Sequence, residues 1–133
     1  MKLLLDTHAF AWWLADDPKL PRAAHAAIAH GQNDVWVSAV SVFEAATKHR
    51  LGKSPEARIL LDHLADAWLQ SLIRFLSIAV QHAELAGSMG GPHGDPFDRM
   101  LAAQSLVEGM ILVTGDPVFA RMDIPVLWSA APS

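Results

Sequence analysis

A chain of 133 residues, 52% of them hydrophobic and 18% charged, has enough apolar material for a core that needs no staples. Ten basic residues against fourteen acidic ones give a formal charge of −4. That balance excludes nucleic-acid binding by bulk charge, so a phosphate ligand would need a local basic patch or a metal. Cysteine is absent, which excludes disulfides and thiolate metal sites and fits a reducing, cytoplasmic setting.

Lys2 to Asp6 is a continuous apolar run ending in an acid and is predicted to be a buried strand. It is too short for the apolar region of a secretion signal, and no run approaches the roughly 18 residues of a membrane span, so no membrane association is expected. Thr7 to Ala15 follows as a helix stopped by Asp16-Asp17-Pro18. Phe10, Trp13 and Leu14 share one face of it, while Trp12 points about 100° away from Trp13, so one tryptophan should leave the core face. Pro21 to His30 is an Ala-rich helix with Gly31 just past its end. Asp34 to Val37 is a second strand, and Ser38 to Arg50 a helix closed by Gly52. Pro55 to Gln70 carries Ala57, Leu60, Leu61, Leu64 and Trp68 at helical spacing, a core-facing stripe. Ile73 to Ile78 reads as a third strand and Gln81 to Gly87 as a short helix. Phe97 to Glu108 is helical and apolar nearly all round, which predicts burial on both sides. Met110 to Thr114 is a fourth strand, Val118 to Arg121 a turn of helix, and Val126 to Trp128 a last strand. Strands alternating with helices imply an α/β fold whose parallel sheet is covered on both faces. No repeat, low-complexity segment or linker divides the chain, so residues 1–133 read as a single domain.

Acids recur where strands turn into helices. Asp6 ends the first strand, Asp116 follows Ile111-Leu112-Val113-Thr114-Gly115, and Glu44 lies early in the helix after Asp34-Val35-Trp36-Val37. The loop His93-Gly94-Asp95-Pro96-Phe97-Asp98-Arg99 leads two more acids into a helix, with Asp95 at the N-cap and Asp98 in the first turn. In a parallel sheet such corners gather at one edge. Two carboxylates about 4 Å apart repel by roughly 4 kcal/mol at an effective dielectric near 20, so four around one crevice need a cation, shared protons or wide spacing. Oxygen-only ligands favour hard ions, Mg²⁺ or Mn²⁺. The histidines form no close-spaced pair of the zinc type, and neither a P-loop nor a Gly-x-Ser-x-Gly elbow is present.

Five motifs in order resemble a known family: Leu5-Asp6-Thr7-His8, Ser38-Ala39-Val40-Ser41-Val42-Phe43-Glu44, Leu51-Gly52-Lys53, Asp95-Pro96-Phe97-Asp98-Arg99 and Leu112-Val113-Thr114-Gly115-Asp116. The chain is similar to PIN-domain ribonucleases, and most of all to VapC-type toxins of bacterial toxin–antitoxin pairs, from Lys2 to about Trp128. The resemblance implies a three-layer α/β/α PIN-like fold with strand order 3-2-1-4-5. That order puts the topological switch point beside Asp6 and Asp116. It also implies a metal-dependent endoribonuclease in which Asp6, Glu44, Asp98 and Asp116 hold Mg²⁺ or Mn²⁺. RNA as substrate, a small antitoxin partner and a homodimer come from the resemblance alone. A non-catalytic PIN-like RNA-binding or regulatory module would keep the same acids. A receiver-like phosphoacceptor would need a lysine after a later strand, and Val113-Thr114-Gly115-Asp116 offers none.

Each residue also has a plainer reading. Asp6 can cap the helix that starts at Thr7, and Asp98 can serve the helix dipole while ligating. Glu44 completes a capping box if its helix starts at Ser41, but is free to ligate if the helix starts at Ser38. Asp116 before Pro117 suits an N-cap, with an indirect metal role through water. Asp95 is a cap first and a site residue second. Thr7 and Thr114 can hydrogen-bond behind the acids or simply shape turns. The cluster Lys48-His49-Arg50-Leu51-Gly52-Lys53 complements a helix end or contacts an RNA backbone. Arg99 can pair with an acid or a phosphate. His8 and His93 read as local hydrogen-bonding or surface residues. Trp12, taken as the exposed tryptophan, is the expected anchor for an apolar antitoxin segment that sends a basic side chain toward the acids.

Overall fold

The computed structural model describes residues 1–69, 72–91 and 94–129. Strand β1 (Lys2–Leu5) runs through Asp6 into helix α1 (Thr7–Leu14), and α2 (Arg22–Ala29) leads to β2 (Asp34–Ser38). Helices α3 (Ala39–Arg50) and α4 (Pro55–Leu69) precede β3 (Ile73–Leu76). Then come α5 (Val80–Ser88), α6 (Pro96–Glu108), β4 (Ile111–Val113), α7 (Val118–Arg121) and β5 (Val126–Leu127). All strands pair in parallel in the order β3-β2-β1-β4-β5, as the resemblance implies. β1 is central, with Leu5 opposite Val37 of β2 and Val113 of β4.

Alternate strand residues face opposite sides, and this builds two cores. Leu3, Leu5, Val35, Val37 and Val113 pack with Phe10 of α1, Ile28 of α2 and Leu60 of α4. Leu4 and Leu112 point the other way, against Leu101 of α6 and Phe119 of α7. Because both faces are covered, the strands are apolar without alternation. Among the described residues no helix is long and apolar enough to cross a membrane.

Two expectations change. Helix α6 buries Leu101 to Ser105 but leaves Leu106 and Val107 exposed, so it is covered on its inner side only. Trp12 and Trp13 do point apart, yet both are half-buried: Trp12 meets Trp128 with ring centroids 5.9 Å apart, and Trp13 meets His25 at 4.8 Å. Trp12 packs against the same core as Trp13, with Trp128 beside it, so it is not an exposed anchor. The stripe on α4 buries Ala57 and Leu60 and half-buries Leu61 and Leu64. The side chain of Trp68, like Gln70 and His93, lies outside the described residues.

One polar knot fastens α5 to α6. His82, fully buried, accepts the backbone N–H of Ala79 at Nδ1 (2.9 Å) and contacts Glu108 Oε2 through Nε2 at 2.8 Å. Since Nδ1 accepts, the ring proton is on Nε2 and donates to the carboxylate. Gln104 Nε2 stands 3.3 Å from the same Nδ1. Replacing His82 by Leu strands the Ala79 N–H at the start of α5 and is expected to destabilise the chain by about 2 kcal/mol in urea unfolding. A change under about 0.5 kcal/mol would show that the knot contributes nothing net.

Candidate metal centre

Four acids arrive at the C-terminal edge of the sheet from four elements, and all four line one cleft of about 170 Å³. Asp6 follows β1, Glu44 projects from the second turn of α3, Asp98 from the first turn of α6, and Asp116 from the turn after β4. Asp6 and Glu44 are only 7% and 5% exposed. Asp98 is half-buried and Asp116 exposed, so the cleft grades from a buried floor to an open lip.

The floor is held from behind. Asp6 is the N-cap of α1: Oδ1 accepts the Ala9 N–H at 2.7 Å, and Oδ2 accepts the Thr114 hydroxyl at 2.6 Å. The cap of α1 and the floor of the cleft are thus the same side chain. Thr114 Oγ1 also accepts the Asp116 N–H at 3.1 Å, coupling two site strands through one hydroxyl. Thr7 donates to Glu44 Oε1 at 2.5 Å, while Lys48 Nζ is 2.6 Å from Oε2. Both threonines therefore stand behind acids. Ser38 caps α3 by accepting the Val40 N–H, which puts Glu44 more than a turn inside the helix and removes the Ser41 capping box.

Asp95 caps α6, accepting the Phe97 and Asp98 N–H groups, and also lines the cleft. Asp116 Oδ1 accepts the Val118 N–H at 3.0 Å from just before the short α7, whose N-cap position is Pro117 rather than Asp116. Arg99 turns away from the acids. Its Nε donates to the Ala86 carbonyl at 2.8 Å and its guanidinium to that of Met89, so it closes the end of α5. The carbonyls of a helix's last turn lack partners, and a guanidinium satisfies two of them.

Charge in the cleft is strained toward the cationic side. Burial raises the Asp6 carboxyl from its ordinary 3.8 to about 6; the hydrogen bonds from Thr114 and Ala9 and the nearby His8 oppose that rise, and the charge of Asp98 adds to it. Burial pulls the Lys48 ammonium down, but its bond to Glu44 and the charges of Glu44, Asp95 and Asp98 win and raise it. The Glu44–Lys48 pair is an i,i+4 couple that the helix spacing announces. Lys48 is thus a counter-ion to Glu44 inside the cleft. Among the described residues no three Asp, Glu or His side chains are grouped as a finished cation cage. The oxygens of the buried pair face protein donors instead. The donor set nevertheless fits a hard ion: it is all oxygen, negative in excess, and already holds one cation at Glu44.

A wider hollow of about 440 Å³ opens beside the acids and shares Asp6, His8 and Asp116 with the smaller cleft. Its wall is Trp12 and Trp128. Gly115 makes this wall possible, because a Cβ there would lie 2.6 Å from Trp128 Cε2. Sequence reasoning missed Trp128, whose only signal was a glycine directly before an acid.

A 3-2-1-4-5 parallel sheet that collects these acids at its switch point defines a PIN domain. The chain belongs to the PIN-domain family, whose model matches residues 3–125. One relative is Ribonuclease VapC22 of Mycobacterium tuberculosis, 35% identical over 118 residues, which are 86% of this chain and 86% of that protein. The fold is similar to that of VapBC2 from Rickettsia felis bound to a promoter DNA fragment, with a TM-score of 0.68 and 18% identity over 96% of this chain and 99% of that one. It is also similar to Mycobacterium tuberculosis VapC20, a Sarcin-Ricin loop cleaving toxin, with a TM-score of 0.63 and 16% identity over 92% and 95% of the two chains.

Asp6 carries a pH prediction for the chain in chelator. Its folded value of about 6 lies above the ordinary 3.8, so the folded state holds the proton more tightly. The resulting penalty is absent below the lower value, grows between the two, and is complete above the higher, where it reaches about 3 kcal/mol. Asp6→Asn should therefore stabilise the chain at pH 7.5 and lose that advantage by pH 4, measured by paired urea unfolding. A difference between the two proteins that does not change with pH would contradict the assignment.

Proposed function

We propose that the chain is a metal-dependent endoribonuclease acting as the toxin of a toxin–antitoxin pair in the cytoplasm. The observation that carries this reading is the convergence of Asp6, Glu44, Asp98 and Asp116 on one cleft. Support for RNA comes from the 35% identical relative, which is a ribonuclease. Support for a partner comes from the VapBC complexes that share the fold.

Asp6, Glu44, Asp98 and Asp116 would hold one or more Mg²⁺ or Mn²⁺ ions. When bound, such an ion lowers the pKa of a water and offsets charge at the scissile phosphate. The chain's own work is positional. Thr114 and the Ala9 N–H fix both oxygens of Asp6, so the carboxylate cannot turn away from the cleft. Thr7 does the same for one oxygen of Glu44. The other accepts from Lys48, whose ammonium would have to leave Glu44 for a cation to be held there and would then be placed in the cleft to meet a phosphate oxygen.

The second reading, a non-catalytic RNA-binding module, draws on the same Lys48 contact, since a permanently paired Glu44 cannot ligate. The antitoxin reading also changes its anchor. Phe43, 62% exposed and edge-on to Phe97 at 5.6 Å, directly precedes Glu44 and offers an apolar lip that Trp12 does not. A basic side chain entering from there would take the place of a cation among the acids. A homodimer belongs to the same reading, and Val80, 82% exposed, is open to it.

RNA cleavage should require Mg²⁺ or Mn²⁺, stop with chelator, and fall at least about a hundredfold in Asp6→Asn. Glu44→Gln should lose activity just as completely while keeping stability within about 1 kcal/mol. Chelator-resistant cleavage, or a folded and active Asp6→Asn protein, would remove the metal assignment. A folded wild-type chain that binds RNA without cutting it would favour the second reading.

A further inference from the structure

We infer that the hollow walled by Trp12 and Trp128 is a nucleobase-stacking subsite, which holds the nucleotide next to the scissile phosphate. The inference rests on the ribonuclease reading and adds a place and a preference to it.

The two indoles meet at 45° with centroids 5.9 Å apart, so they form a wedge rather than a closed stack. His8 tilts against Trp12 at 5.6 Å, and Lys19 Nζ lies 5.9 Å over the same ring. A base has two apolar π-faces and polar edges, and it stacks on aromatic rings without needing a fixed sequence. The phosphate joined to it carries the charge that Lys19 can meet. Asp6 and Asp116 border both hollows, so a strand with one phosphate at the acids would deliver its neighbouring base to the wedge. An apolar peptide fits less well, because it would press Asp6, Asp116 and Glu56 against groups that cannot donate to them.

Gly115 shows that the wall is built in. Trp128 occupies the space of a missing side chain beside Asp116, and any Cβ would push the indole out. Glu56 gives the hollow a chemical preference. It is an acceptor in the wall, and cytosine and adenine present exocyclic N–H₂ donors where uracil presents an oxygen. The subsite should therefore prefer bases bearing an exocyclic amine and disfavour uracil.

The test is binding in chelator, with short single-stranded oligoribonucleotides titrated into the full chain and read by tryptophan emission and by anisotropy of a labelled strand. Oligocytidylate should quench the emission. It should bind about tenfold more tightly than an abasic ribose-phosphate strand of equal length, the scale of one base–aromatic stack. Trp128→Leu should abolish most of that difference, whereas Trp128→Phe, which keeps an aromatic face, should retain most of it. Glu56→Gln should narrow the gap between oligocytidylate and oligouridylate while leaving folding unchanged. Equal affinity for base-bearing and abasic strands would overturn the subsite. So would full retention of the difference in folded Trp12→Leu and Trp128→Leu proteins. In either case, metal-dependent cleavage that persists leaves the ribonuclease reading standing. A wild-type chain that neither binds nor cuts RNA overturns both. Quenching by an antitoxin-derived peptide, with none by RNA, would assign the wedge to a protein partner and overturn the inference.

Discussion

A carboxylate closes the central strand of the sheet, buried where an apolar residue would be expected. Burial pushes the Asp6 carboxyl up, and the Thr114 hydroxyl, the Ala9 N–H and the charge of His8 hold it back. Those two donors tie the acid to β4 on one side and to the first turn of α1 on the other. The position of α1, the height of the β4 turn, and so the places of Trp12 and Asp116, follow from keeping that one group hydrogen-bonded. Glu44 repeats the solution one strand away, with Thr7 and Lys48 as its donors. The two buried acids are therefore each held by their own donors, and the charge of Asp98 raises the proton affinity of Asp6. An incoming cation would be favoured by the sum of these tensions.

Much of this was legible in the residues. The apolar run Leu3-Leu4-Leu5 and its counterparts, Val35 to Val37 and Ile111 to Val113, could only be strands covered on both faces, and they are. Asp95 and Pro96 marked the start of α6, and at its end Gly109 takes the left-handed φ of 65°. The acids at strand ends marked the edge of the sheet where the cleft lies. What the residues could not announce were contacts between distant positions. Arg99 beside Asp98 suggested a pair with an acid or a phosphate, and its guanidinium donates to the carbonyls of Ala86 and Met89. His82 gave no periodic or motif signal, because its role lies in a packing contact with Glu108 twenty-six residues on. Trp12 differs most: geometry on one helix turned it toward solvent, yet it packs against the same core as Trp13, with Trp128 from the far end of the chain beside it.

Gly115 and Lys48 show how small local choices shape the site. A glycine before Asp116 admits an indole beside the acids and turns a bare rim into an aromatic wall. A lysine one turn after Glu44 supplies positive charge inside a chain that is acidic overall, so the fold is not left to bear unbalanced carboxylates. It also makes Glu44 exchangeable between an internal cation and an external one.

The central claim is that these four carboxylates form a cation site, and thermal unfolding of the chain against Mn²⁺ concentration tests it most directly. A ligand that binds only the folded state stabilises it by RT ln(1 + [L]/Kd), about 2.7 kcal/mol at a hundredfold excess over Kd. The melting temperature should therefore climb with Mn²⁺ in the wild-type chain and remain flat in a folded Asp6→Asn, Glu44→Gln double variant. A wild-type melting temperature that does not move with Mn²⁺, or that moves equally in the double variant, would contradict the account.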